Sequence, residues 1–149
     1  MTRRLKIARA LNATGCALFT LYGLVSALLS KRVSAYLFHA DTGADFAALG
    51  PELQGFAAAT VVTVGLLGAG LAVASGILFW LGFTHRLRPA LIAAVLGGGI
   101  GLGGLITVHL DQRAWILFIL DNVFLNLIGA GFTVAGKEML EILRGQEKV

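Results

Sequence analysis

FAAATVVTVGLLGAGLAVASGILFWLGF, residues 56–83, is 28 residues long and holds no charged side chain. As a helix it would run about 42 Å at 1.5 Å per residue, against about 30 Å of hydrocarbon in a bilayer. The apolar/polar alternation of a membrane-barrel strand is absent. The stretch therefore predicts a transmembrane helix that exceeds the membrane and must tilt or protrude.

Three further runs share this character, at about residues 7–29, 89–108 and 114–135. The whole chain fits the same solvent. It has 149 residues, 57% of them hydrophobic and 13% charged, with a mean hydropathy of +0.84. Soluble domains carry about 25% charged residues, so this composition leaves too little charge for a wetted surface. The expected fold class is an all-α integral membrane protein: a four-helix transmembrane bundle forming a single domain over 1–149. The connection 30–55, with turn signals at TG and GP, is expected to form a short helical cap on the outer side.

Orientation follows from where the basic residues fall. Arg3, Arg4, Lys6, Arg9, Arg86, Arg88, Lys137, Arg144 and Lys148 occupy one side of a four-span topology. The other side holds Lys31, Arg32 and Arg113 beside Asp41, Asp45, Glu52 and Asp111. The positive-inside rule makes both termini cytoplasmic. The net charge of +4 is thus a topology signal, and no nucleic-acid partner is expected. RRLKIAR ahead of an apolar run also matches a signal peptide with VSA (residues 25–27) as its cleavage site; we expect the span to be retained. Cys16 is the one cysteine and cannot form an internal disulfide.

Twenty glycines in such a chain read as packing devices, because lipid gives helices no hydrophobic reason to associate and small residues let backbones approach. Ala58, Gly65, Ala69, Ala72 and Gly76 form one stripe of the second span. Ala90, Ala93, Ala94, Gly97, Gly101 and Gly104 form one of the third. These two stripes are expected to meet, and Gly99 and Gly103 on the far side imply another neighbour, in the same chain or in a homo- or hetero-oligomer. GIGLGG (residues 99–104) satisfies a dinucleotide-binding spacing, but it lies mid-span without the strand that motif requires.

The candidate site is DNVFLN, residues 121–126. Asp121 lies about 10 Å and Asn126 about 18 Å below the outer surface, counted from Ala114. Asn122, Asn126, Gly129, Thr133 and Gly136 share a helix face, with Asp121 at its edge. A carboxylate facing lipid is costly, so the stripe is expected to face the protein interior, a neighbouring subunit or a hydrated cavity. Asp121, Asn122, Asn126 and Thr133 are the expected ligand-binding residues if a cavity is there; hydrogen bonding between helices is the structural alternative. His39, Glu52, His109 and Asp111 form a second, outer-side polar group. They lack the short spacing of a metal site, so no metal is expected. His85 and His109 are about 36 Å apart along the helix and cannot share a haem. No cofactor is expected.

PELQGF, residues 51–56, carries the first connection into the glycine-rich second span. In this and in its topology the chain resembles small bacterial four-span families of unknown function, a resemblance that carries no activity across; the expected location is multi-pass in the inner membrane. Three function classes follow. The expected one is a non-catalytic subunit or scaffold of a membrane complex, since no catalytic grouping stands out. The alternatives are an intramembrane protein that binds or transports an apolar or cationic small molecule or lipid, and an intramembrane acid–base enzyme of isomerase or cyclase type. Both centre on Asp121, the enzyme pairing it with Glu52 or His109. A closed cavity reaching Asp121 favours these two over the first.

Overall fold

The computed structural model describes residues 2–104, 107 and 113–145, and among these every regular element is a helix. α1 (Arg3–Leu28) starts at Thr2, whose hydroxyl accepts the Leu5 N–H at 3.2 Å and satisfies one of the free N–H groups of the first turn. Leu29 breaks the helix and α2 (Ser30–Thr42) follows at once. α2 ends at Gly43, whose φ of 72° needs a residue without a Cβ penalty. A 3₁₀ turn, Phe46–Ala48, is capped by Asp45, which accepts the Ala47 N–H at 2.9 Å. α3 (Pro51–Thr84) has 34 residues, with Pro51 at its first position and Glu52 in its first turn, both suited to a helix N-terminus.

α4 (Arg88–Val95) continues through a π-helical turn at Leu96–Gly101 and on to Gly104. The triple glycine at 97–99 lies in that turn, where the backbone departs from the α-helical ladder. The rest of the expected span, to Val108, runs into residues outside those described. α5 (Trp115–Val134) and a short α6 (Gly136–Leu143) complete the chain.

α1, α3 and α5 are long and apolar enough to cross a membrane, with mean hydropathies of 1.4, 2.2 and 1.7. Their outer faces are coated with hydrocarbon: Leu21, Leu28, Phe56, Leu66, Ile77 and Ile119 are all more than half exposed or close to it. That much contiguous apolar surface suggests membrane association.

α1 lies between α3 and α5. A Cβ on Gly23 would meet the carbonyl oxygen of Gly65 in α3, and one on Gly65 would lie 2.6 Å from the Gly23 oxygen. On its other side, a Cβ on Gly15 would lie 2.7 Å from Ile128 Cγ1, and one on Gly131 would lie 2.8 Å from Asn12 Cβ. Glycine is required at each crossing because backbone lies on the far side. Between them Cys16, Phe19, Ala72, Leu102 and Ile128 form the middle core.

The stripe of the second span therefore lies elsewhere than expected. Gly65 and Ala69 abut Gly23 of α1, and Gly76 abuts Cys16. α4 packs on a different face of α3, where Ser75 Oγ donates to the Ala94 carbonyl at 2.9 Å and Gly82 makes room for Leu91. From the α4 stripe, Ala90 and Ala94 are buried, Gly97 faces Ser75 and Gly101 faces the end of Leu71. Gly104 has open space around it. α3 has small residues on several sides, so helical spacing finds its stripes without assigning each a partner.

The basic end is tied together by polar contacts. Thr2 Oγ1 donates to Glu138 at 2.9 Å, Arg9 donates to Thr84 at 2.9 Å and lies over the Trp80 ring, and Arg88 Nε donates to the Ile142 carbonyl at 3.0 Å. The start of α1, the α3–α4 connection and α6 thus share one end, with Phe79, Phe83, Leu91 and Ile142 as its core. α2 and the 3₁₀ turn belong to the opposite end.

Candidate functional site

At that opposite end a cavity of about 330 Å³ opens between α1, α2 and α3. α1 lines it with Phe19, Tyr22, Gly23 and Ser26, spaced i, i+3, i+4 and i+7 on one face. α2 contributes Val33, Ser34, Leu37, Phe38 and Asp41, and the 3₁₀ turn adds Phe46. From α3 come Phe56, Ala57, Thr60, Val61, Val64, Gly65 and Gly68. Gly23 and Gly65, which let α1 and α3 touch, thus also border the cavity.

α5 contributes one lining residue, Asp121. It is completely buried. Three aromatic rings cluster nearby: Tyr22 and Phe124 lie tilted at 56° with centroids 5.9 Å apart, and Phe19 meets both edge-on at 6.0 and 6.4 Å. The Tyr22 hydroxyl shares a hydrogen bond with Ser26 and lies within electrostatic reach of Asp121. At the α2 side Phe38 and Phe46 meet edge-to-face at 5.9 Å, and Asp41 is exposed. Among the described residues the lining carries two carboxyl groups, four hydroxyls (Tyr22, Ser26, Ser34, Thr60) and no Lys, Arg or His. A ligand here would meet apolar walls, a few hydroxyls and two carboxyl groups, in a volume at the lower end of small-molecule sites.

The other residues of the polar stripe lie apart from Asp121. Asn122 is half-buried and donates to the Phe118 carbonyl at 2.8 Å. Asn126 is exposed and donates to the Asn122 carbonyl at 2.8 Å. Thr133, also exposed, donates to Gly129 at 2.9 Å. All three bond back to their own helix, and none lines the cavity. The shared face that the spacing suggested is thus divided at Asp121, which alone turns inward.

In the outer polar group, His39 is exposed with Nδ1 3.3 Å from the Ala44 carbonyl, and Glu52 is exposed on the first turn of α3. Neither lines the cavity. His109 and Asp111 lie outside the described residues. Among the described residues no three His, Cys, Asp or Glu side chains are placed to hold a metal ion.

Sequence reasoning passed over Tyr22, Ser26, Ser34 and Thr60 and read Asp41 only as one of the outer-side acids. The available signal was the pair Tyr22 and Ser26, one turn apart in an otherwise apolar span. Ser34 gave none, because α2 reads as a polar connection. No known protein family matches the chain, and neither a curated protein nor a solved structure matches it.

Proposed function

We propose that this protein is a four-span inner-membrane protein of bacterial type, with both termini cytoplasmic, that binds a small amphiphilic molecule in the cavity floored by Asp121. One observation carries the reading: a fully buried carboxyl group lines a mostly apolar cavity of ligand size. Ionisable groups at membrane depth are functional candidates by default, and convergent polar groups in an apolar pocket are the usual form of a binding site. The positive-inside bias supports the orientation, which puts the cavity toward the outer leaflet.

Filling the cavity tests this. Ala57 is half-buried in the lining, so Ala57→Trp should occupy the volume while leaving the helix crossings intact. Native mass spectrometry in a mild detergent is expected to find a small-molecule adduct on the wild type and none on the variant. Equal adducts on both proteins, or none on either, would rule the site out.

A second reading, the non-catalytic subunit, is favoured by a separate observation. Asn126 and Thr133 are exposed on the face of α5 turned away from the cavity, where a partner helix could bond the amide. The two readings are compatible. The acid–base enzyme pairing Asp121 with Glu52 has less support, since Glu52 lies outside the lining, while the pairing with His109 falls outside the described residues.

A further inference from the structure

We infer that the ligand is a monocationic amphiphile, an alkyl chain bearing an ammonium head, with the cation seated at Asp121. The inference rests on the binding reading above and concerns which ligand chemistry that site selects. Its basis is the composition of the described lining: two carboxylates, Asp121 within and Asp41 exposed toward water, and no basic side chain among the described residues of the wall.

Each alternative ligand class meets an obstacle. An anionic amphiphile would bring like charge against Asp121 in a medium that screens poorly, a repulsive element that discriminates against it. A purely apolar ligand would displace water from a cavity whose described lining holds two carboxylates and four hydroxyls, and would offer those groups no polar contact in return. A cation answers both. The aromatic rings near the carboxylate, Phe19 and Tyr22, add a further preference, because ring quadrupoles attract ammonium groups and do so more strongly once water is gone. Asp41 holds a second negative charge where an approaching cation would pass it, favouring capture of that sign.

The alkyl part is matched by the rest of the wall. Phe56, Val61 and Val64 line the α3 side, and Phe56 and Val64 are exposed on the face that lipid would cover. A chain can therefore lie along α3 while its head reaches Asp121.

The test uses three probes of equal chain length, titrated by calorimetry into the full-length protein in a maltoside detergent at neutral pH. They are octyltrimethylammonium, the net-neutral N,N-dimethyloctylamine N-oxide and octyl sulfate. The expected result is that the cation binds at least about tenfold more tightly than the N-oxide and that the sulfate binds weakest. Asp121→Asn keeps the shape and a hydrogen-bonding group; it should bring cation and N-oxide to within about twofold of each other.

Equal binding of all three probes to the wild type would overturn the charge inference and leave the cavity reading standing, and this arm needs no variant to fold. Persistence of the full preference in a folded Asp121→Asn protein would overturn the assignment of the seat. If no probe binds and Ala57→Trp behaves as the wild type does, the binding reading itself falls with the inference.

Discussion

Asp121 and Asn126 are five residues apart in one helix, and the membrane treats them differently for a reason that lies in their atoms. An asparagine amide can donate to the carbonyl one turn back, as Asn122 and Asn126 both do at 2.8 Å, and so covers part of its polarity on an outward face. A carboxylate has no donor for that bond and must find its partners away from lipid. The inward position of Asp121 was therefore legible in the sequence, while grouping it with its neighbours by helical spacing was not safe. A sharper residue-scale test lies in the glycines. At Gly23 an added methyl would strike the backbone oxygen of Gly65, which cannot rotate aside, so α1 and α3 must separate. Gly70, in the same region of α3, has nothing within 4 Å of such a methyl. Gly23→Ala should cost about 1–3 kcal/mol through overpacking. Gly70→Ala should be neutral or gain up to about 1 kcal/mol from helix propensity. Melting temperatures in detergent measure both, and indistinguishable values for the two variants would contradict the close crossing.

At the scale of elements, hydropathy located the helices well and said little about their partners. α1, α3 and α5 lie close to the expected limits, because a long apolar run has one backbone solution in lipid. Which stripe meets which neighbour depends on tertiary arrangement, and α1, with Gly15 facing one neighbour and Gly23 the other, occupies the position expected of α4. The π-helical turn at Leu96–Gly101 was equally hidden, since a run of three glycines fits an α-helix, a π turn or a kink. The outward face of α5 yields the element-scale prediction. Asn126, Gly129 and Thr133 lie along it with exposed Ile119 and Val123. An amide both donates and accepts, so two copies of this face are complementary to each other. Asn126→Leu should shift the detergent-solubilised protein toward monomer, read by light scattering on a sizing column, with the fold unchanged. A wild type that is already monomeric, or a variant that keeps the wild-type mass, would remove the support for a subunit contact through α5.

At the scale of the whole molecule, charge and cavity are arranged along one axis. The basic residues of the α1 start, the α3–α4 connection and α6 lie at one end, joined by the Thr2–Glu138, Arg9–Thr84 and Arg88–Ile142 contacts. The opposite end holds α2, the 3₁₀ turn and the cavity, with Asp41, Asp45 and Glu52 exposed. α3, about 51 Å long at 1.5 Å per residue, exceeds the hydrocarbon by some 20 Å. That excess can extend past the membrane surface at this end, where the N-terminal part of α3 forms a cavity wall and α2 packs beside it. The arrangement makes topology decisive for function: if the basic end is cytoplasmic, the site takes its ligand from the outer leaflet or the space beyond it. In a Cys16→Ser background, Ala44→Cys and His85→Cys place single thiols at exposed positions on the two ends. A membrane-impermeant maleimide added to intact cells should label the cysteine at 44, and the one at 85 only after the membrane is opened. Labelling of both in intact cells would break the assignment of opposite sides. Labelling of 85 alone would invert the molecule and turn the cavity toward the cytoplasm.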